Sequence, residues 1–165
     1  MMTLPNILLL TTAVAAALIA GLFYAWTCSV IPGLARLSNV EFVRAMQSFN
    51  ISIQNPLFFA TFIGTALLLP VCSYVHFGQP VSIRFWLLLI STIVYLTGVL
   101  GVTIFGNIPL NDALAAFQVD SSTTAEIAGA RAQFEMPWKG LNTIRTIAST
   151  LSVTLVILAC ISRED

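Results

Sequence analysis

Four long apolar runs, separated by polar connections, set the plan of the chain. The first extends from about residue 4 to residue 30 and stops before Pro32-Gly33; the others cover about 56–75, 83–105 and 138–161. About 20 apolar residues suffice for an α-helix to cross the hydrocarbon of a bilayer. Lipid offers no water to unpaired backbone groups, so runs of this length are helical. The connections are unequal. HFGQPVS, residues 76–82, is a short turn, whereas residues 31–55 and 106–137 form two long polar connections. Within the first of these, Phe42, Ala45, Met46 and Phe49 recur at helical spacing among Glu41, Arg44, Gln47 and Ser48. This is the pattern of an amphipathic helix, with Ser38 or Asn39 as its N-cap. Asn55-Pro56 opens the second span, a capping residue followed by a proline tolerated in the first helical turn. The most polar stretch, residues 118–135, is expected to be partly helical.

The expected fold is therefore all-α: a single domain, residues 1–165, forming a four-transmembrane-helix antiparallel bundle. An amphipathic helix precedes or extends the second span. A tight turn between the second and third spans places both termini on one side and gathers the two long connections at the other end.

Composition removes the soluble alternative. Hydrophobic residues make up 58% of the chain and charged residues 8%, with a mean hydropathy of +0.92. A soluble domain carries about 25% charged residues, so this chain has too few to coat a globular surface. The first run is longer than a signal-peptide core and lacks a basic leading region, and it reads as a retained span. Seven basic and seven acidic residues give zero net charge, and no basic patch suggests nucleic acid. Arg36, Arg44, Arg131 and Lys139 lie near the long connections, while Arg84 and Arg163 lie near the termini. That distribution leans towards cytoplasmic long connections in an integral protein of the cell (inner) membrane.

The polar residues inside this apolar frame carry the chemistry. In WKGLNTIRTIAS, Trp138, Asn142, Arg145 and Ser149 fall four, three and four apart and share one helical face. Arg145 lies about two turns inside its span, where a charge must face the bundle interior, snorkel or find a partner. Trp138 also suits an interfacial belt, and Asn142 suits interhelical hydrogen bonding. In TIFGNIPLNDAL, Thr103, Asn107 and Asn111 continue a four-residue spacing into the same end. Pro109 is expected to interrupt regular helix there, free carbonyls and turn the amides inward. Gln47, Asn50, Gln54 and Asn55 approach from the second element; Tyr24, Thr27 and Cys28 approach from the first span. The pattern predicts one polar pocket fed by all four spans, with Asn107 and Asn111 near Arg145.

Its chemistry is limited. Arg145 and the amides can hold an enolate, phenolate, carboxylate or quinone oxygen. Phe23, Tyr24, Trp26, Phe49, Phe58, Phe59 and Trp138 can clamp a flat apolar molecule. Candidate bases are Glu41, Asp112, Glu135 and Tyr24, of which Asp112 is best placed, although a simple cap or surface charge accounts for it more readily than a base does. His76, the only histidine, falls in the opposite turn, which excludes bis-histidine haem within one chain and argues against a His/carboxylate metal centre. Cys28, Cys72 and Cys160 form no CxxC pair and read as small apolar residues. No nucleotide fingerprint is present, so neither a metal nor another cofactor is expected.

The blocks AGLFYAW, VIPGLARL, FVRAMQSFNISIQNPLF, GNIPLND and WKGLNTIRT, in this order, resemble the DUF1772, or anthrone oxygenase-like, membrane family over nearly the whole chain. The resemblance implies a four-helix membrane protein. For some members it implies oxidation of anthrones to anthraquinones without bound metal or flavin. It also implies a family polar set of Asn50, Asn55, Asn107, Pro109, Asn111, Trp138, Asn142 and Arg145. Two functions stay open. One is a cofactor-independent oxygenase for a flat anthrone- or phenol-like molecule, with Arg145, Asp112, Asn107 and Asn111 catalytic and Trp138, Asn142, Asn50, Asn55 and Tyr24 binding substrate. The other is a non-enzymatic binder, transporter subunit or assembly factor using the same pocket. Gly98 and Gly101 offer a small-residue face on which a homodimer could pack.

Overall fold

A computed structural model describes residues 3–162; Arg163, counted above among the charges near the termini, lies outside the described residues. Four helices are long and apolar enough to span a membrane: α1 (Leu4–Leu34), α3 (Pro56–Val75), α4 (Ile83–Ala116) and α5 (Thr124–Ile161). A shorter helix, α2 (Asn39–Ser52), lies between the first two. The described residues contain no strand. α5 packs against α1 and α4, and α3 packs against the same two helices, so the spans form a ring in which sequential helices are neighbours.

Side-chain caps set most helix starts. Thr3, Asn55 and Ser82 accept backbone N–H bonds at the heads of α1, α3 and α4. Ser38 with Glu41, and Thr123 with Glu126, complete capping boxes on α2 and α5. Of the two candidate caps for α2, Ser38 holds the position.

α3 has 20 residues and is about 30 Å long, matching a hydrocarbon core. α1, α4 and α5 have 31, 34 and 38 residues and outlast it. Their surplus turns, together with α2, build a second tier on the end of the bundle opposite the 76–82 turn. Much of what the sequence pattern treats as polar connection is therefore helix. The expected interruption of regular helix at GNIPLND takes the form of a bulge and not a break: α4 runs through Pro109 to Ala116 by widening into π-helical turns at Leu96–Gly101 and Thr103–Asn107. The same device appears in α1, where a π-turn at Trp26–Val30 precedes Pro32. In both helices the turn ends two residues before the proline. The Ile31 N–H reaches the carbonyl of Trp26, and the Ile108 N–H that of Thr103. Proline cannot donate to the carbonyl four residues back and its ring crowds that carbonyl; a local shift to five-residue bonding keeps the helix continuous.

Two apolar clusters follow the two tiers. Ile19, Phe23, Phe62, Leu69, Leu88, Tyr95, Val99 and Val156 fill the spanning bundle. Leu34, Phe42, Val43, Met46, Leu114, Ile127, Phe134 and Trp138 join α2 to the surplus turns. The Arg131 guanidinium ties α5 to the α1–α2 connection by donating to the Leu37 carbonyl at 2.8 Å and Asn39 Oδ1 at 3.2 Å. Hydroxyls cross-link the spans: Ser91 to Ser152 at 2.8 Å, Ser73 to Thr92 at 3.0 Å, and Tyr95 to the Phe62 carbonyl at 2.8 Å. The small-residue face at Gly98 is occupied within the chain by Ala148 of α5.

A Cβ at Gly98 would lie 2.6 Å from the Ala148 Cβ. Gly98→Ala is expected to lower stability by about 1–3 kcal/mol through overpacking, and Ala148→Gly in the same chain should recover most of that loss in thermal melts followed by circular dichroism. A second expectation concerns pH. The Ser38 hydroxyl, followed by its backbone N–H, holds the Glu41 carboxyl below its ordinary value of 4.5. This cap is complete above 4.5 and is lost as pH falls through the lower folded value. Exchange of the amides at the start of α2 should accelerate over that acid range in the wild type and show no such step in Glu41→Gln.

Candidate functional site

The inward face of α5 repeats through Trp138, Asn142, Arg145, Ser149, Ser152, Val156 and Ala159, all buried. Alternating steps of four and three keep one seam facing the bundle, and its polar members extend as far as Ser152. Arg145 is therefore an interior residue and does not snorkel along the lipid face.

The Arg145 side chain is held by neutral groups. Its Nη2 donates to Asn142 Oδ1 at 2.9 Å and its Nη1 to Thr103 Oγ1 at 3.5 Å. The guanidinium carbon lies 4.6 Å from the centre of the Phe23 ring and 5.4 Å from that of Trp138. Among the described residues no ion pair includes Arg145, and its buried Nε has no hydrogen-bond partner. Asn142 is fixed in turn, donating to Thr27 Oγ1 at 3.0 Å. Thr27 shares a 2.9 Å hydrogen bond with Thr146, and the Thr146 hydroxyl also reaches the Phe23 and Asn142 carbonyls. The chain Thr146–Thr27–Asn142 thus fixes the rotamer of Arg145 from behind.

In front of Arg145 is a cavity of about 250 Å³ where the two apolar clusters meet. Phe23 and Trp26 of α1, Phe58, Phe59 and Phe62 of α3, and Trp138 of α5 supply aromatic walls. Stacking fixes some of these rings: Phe58 on Phe62 at 5.0 Å, and Trp26 beside Trp138 at 5.2 Å. The polar lining comes from Arg145, Thr103, Asn50, Gln54, Asn111 and Asp112. Asn111 Oδ1 accepts a 3.0 Å hydrogen bond from Trp138 Nε1 and orients the indole. Asp112 is exposed at the mouth. A second hollow, of about 380 Å³, shares Asn50, Gln54, Asn111 and Asp112 with the first and continues to the Arg44–Asp120 ion pair.

Of the residues singled out in the sequence, Arg145, Asn111, Asp112, Trp138 and Asn50 line one cavity. Asn142 stands behind it as a support. Asn107 is buried, 1% exposed, outside the cavity lining, and neither polar atom of its amide has a hydrogen-bond partner. Asn55 caps α3, accepting from the Phe58 N–H at 3.0 Å, and does not line the cavity. Tyr24 is 60% exposed on the outer face of α1, away from the cavity lining. Gln47 is engaged with the end of α4, donating to the Leu114 and Phe117 carbonyls. Glu41 and Glu135 serve the α2 cap and the Arg131 ion pair. Sequence reasoning passed over Thr146, a common helix residue whose hydroxyl normally turns to the carbonyl four residues back; only the approach of α1 gives it a second role. Phe62 was likewise indistinguishable from ordinary span packing.

Two of the lining residues carry polar atoms without partners. Arg145 Nε and Asn50 Nδ2 are both buried and unpartnered, and each orphaned polar group costs about 1–3 kcal/mol, more when charged. The lining as a whole offers aromatic faces to a flat ring system and a guanidinium to an anionic oxygen. Among the described residues, no three His, Cys, Asp or Glu side chains come together to hold a metal ion.

The architecture defines an integral membrane protein whose polar site lies within a helical bundle. The sequence profile of the anthrone oxygenase family matches residues 57–155, more than half of the chain, and the protein belongs to this family, also called DUF1772. No curated protein and no solved structure matches the chain.

Replacing Asn142 by Leu removes both the acceptor of Arg145 and the link to Thr27 while leaving the charge in place. Hydrogen bonds to charged groups contribute about 1.5–3 kcal/mol to stability, so the variant should be destabilised by about that amount. Thermal and denaturant unfolding followed by circular dichroism checks this, with Thr143→Val on the exposed side of the same helix as the unchanged control.

Proposed function

We propose that the protein is a cofactor-independent oxygenase for a flat anthrone- or phenol-like molecule dissolved in the membrane. One observation carries this reading: a buried guanidinium without a carboxylate partner closes one wall of an aromatic cavity that has a carboxylate at its mouth. Asp112, directly or through water, removes a proton from the benzylic carbon next to the rings. The resulting electron pair spreads onto the ring carbonyl oxygen, where Arg145 and the Asn50 amide stabilise the growing negative charge. The anion then reduces molecular oxygen, a carbon–oxygen bond forms, and protonation gives a hydroperoxide. Loss of water leaves a ketone, so one substrate and one O2 yield a quinone and one water with no outside reductant. Trp138, positioned by Asn111, and Phe23 hold the ring plane against Arg145. In this reading the protein works in the cell (inner) membrane with both termini on one side.

The test is oxygen consumption and anthraquinone formation from emodin anthrone by the purified, reconstituted protein. Turnover above the uncatalysed rate is expected. Removing one oxyanion-stabilising group costs about 10²–10³ in rate, and losing the base costs about 10²–10⁴. Arg145→Ala and Asp112→Asn should fall by those factors with thermal melts confirming folded protein. Saturable binding without turnover would instead point to a membrane small-molecule binder.

A further inference from the structure

The cavity has two sides of opposite chemical character. One lies between α3 and α4. Phe59 and Ile108 line the cavity, yet they are also 45% and 43% exposed on the outside of the bundle. At that level the wall is one side chain thick. Its flanks, Leu57 and Phe105, are among the most exposed apolar residues of the protein, as expected of a surface that faces lipid. The other side lies between α2 and the final turns of α4. It is lined by Asn50, Gln54, Asn111 and Asp112 and ends at the Arg44–Asp120 ion pair.

Helix lengths place the first side at the edge of the hydrocarbon: Phe59 lies in the first turn of the membrane-matched α3, and Ile108 lies in the turns of α4 just beyond that length. Arg145 lies 16 residues before Ile161, the end of α5, and at 1.5 Å per residue this is about 24 Å of helix. The membrane-matched α3 is about 30 Å long, so the guanidinium sits a few ångströms inside the end of α3 at which Phe59 lies. The packing there also leaves room. α3 packs closely on α4 through Ile83–Tyr95, and this contact thins out beyond Leu96, where the π-turns begin. At the same level the chain breaks between α2 and α3, so no continuous helix seals the gap.

We infer that a flat apolar ligand enters the cavity sideways from the bilayer, between Phe59 of α3 and Ile108 of α4, while the polar mouth exchanges only water and protons. A fused-ring molecule concentrates in lipid because burial of its apolar surface is favourable. From the bilayer it reaches the aromatic walls past two apolar side chains. The polar mouth would require the same molecule to pass a row of amides, a carboxylate and an ion pair. Conversely, a proton taken up at Asp112 has a direct path to water.

This inference rests on the cavity binding a flat aromatic, and the experiment separates the two. The full chain, carrying Trp86→Phe so that Trp26 and Trp138 report from the cavity, is reconstituted in lipid nanodiscs. Emodin binding is followed by stopped-flow fluorescence. Ile108→Phe, which thickens the lateral wall, should slow association and dissociation by a similar factor of about five or more while leaving the equilibrium constant nearly unchanged. Phe59→Ala should accelerate both. Ala115→Phe, which lines the second hollow and not the cavity, should change neither. If Ala115→Phe slows both rates and Ile108→Phe does not, lateral entry is wrong while binding stands. A change in equilibrium constant at Ile108 without a change in association rate would make that residue a contact only, and would also overturn lateral entry. Failure of the parent protein to bind emodin would remove the cavity reading and this inference with it.

Discussion

A guanidinium in the interior of a lipid-spanning bundle, with no carboxylate among the described residues to neutralise it, is the constraint around which the rest is arranged. A charge at such depth is tolerated only inside the protein and only with partners. Here the partners are two ring faces, an amide oxygen and a hydroxyl. None of them cancels the charge. A carboxylate would have given a closed structural ion pair; neutral partners keep the positive potential available to the cavity. The support chain through Asn142, Thr27 and Thr146 ensures that this potential has a fixed direction, and an electrostatic site needs that to act without reorganisation.

The paired prolines explain how the cavity comes to lie beside that charge. Pro32 and Pro109 each follow a π-turn, and each widens its helix at the level where the spanning bundle gives way to the second tier. A widened turn rotates the residues beyond it relative to regular helix. Asn111 and Asp112 beyond one turn face the cavity as a consequence, and Trp26 within the other does so too. The spanning bundle and the second tier are each filled by their own apolar cluster, and the void persists at their junction because neither cluster extends across it.

Arg145, Asn111, Asp112, Trp138 and Asn50 were legible as a group because topology alone sends them to one end of the bundle, and helical spacing puts the α5 members on one face. Other residues were not. Tyr24 and Thr27 are three apart and looked equivalent, yet Thr27 contacts α5 and Tyr24 faces outward, since the π-turn of α1 opens between them. Asn55 carried the same side chain as Asn50 but is taken by the head of α3. Asn107 lies within a π-turn, where simple four-residue periodicity no longer says which way a side chain points.

The sequence by itself determined the membrane class, the number of spans, their antiparallel order and the clustering of polar residues at one end. These follow from hydropathy, helix length and connection length, which are local quantities. Only the tertiary structure decided that the helices continue through their prolines, that Arg145 is shared among neutral partners, and which amides face the cavity. Those outcomes depend on the rotation of each helix about its own axis and on the space left where two apolar clusters meet. Both are set by packing between residues far apart in the chain.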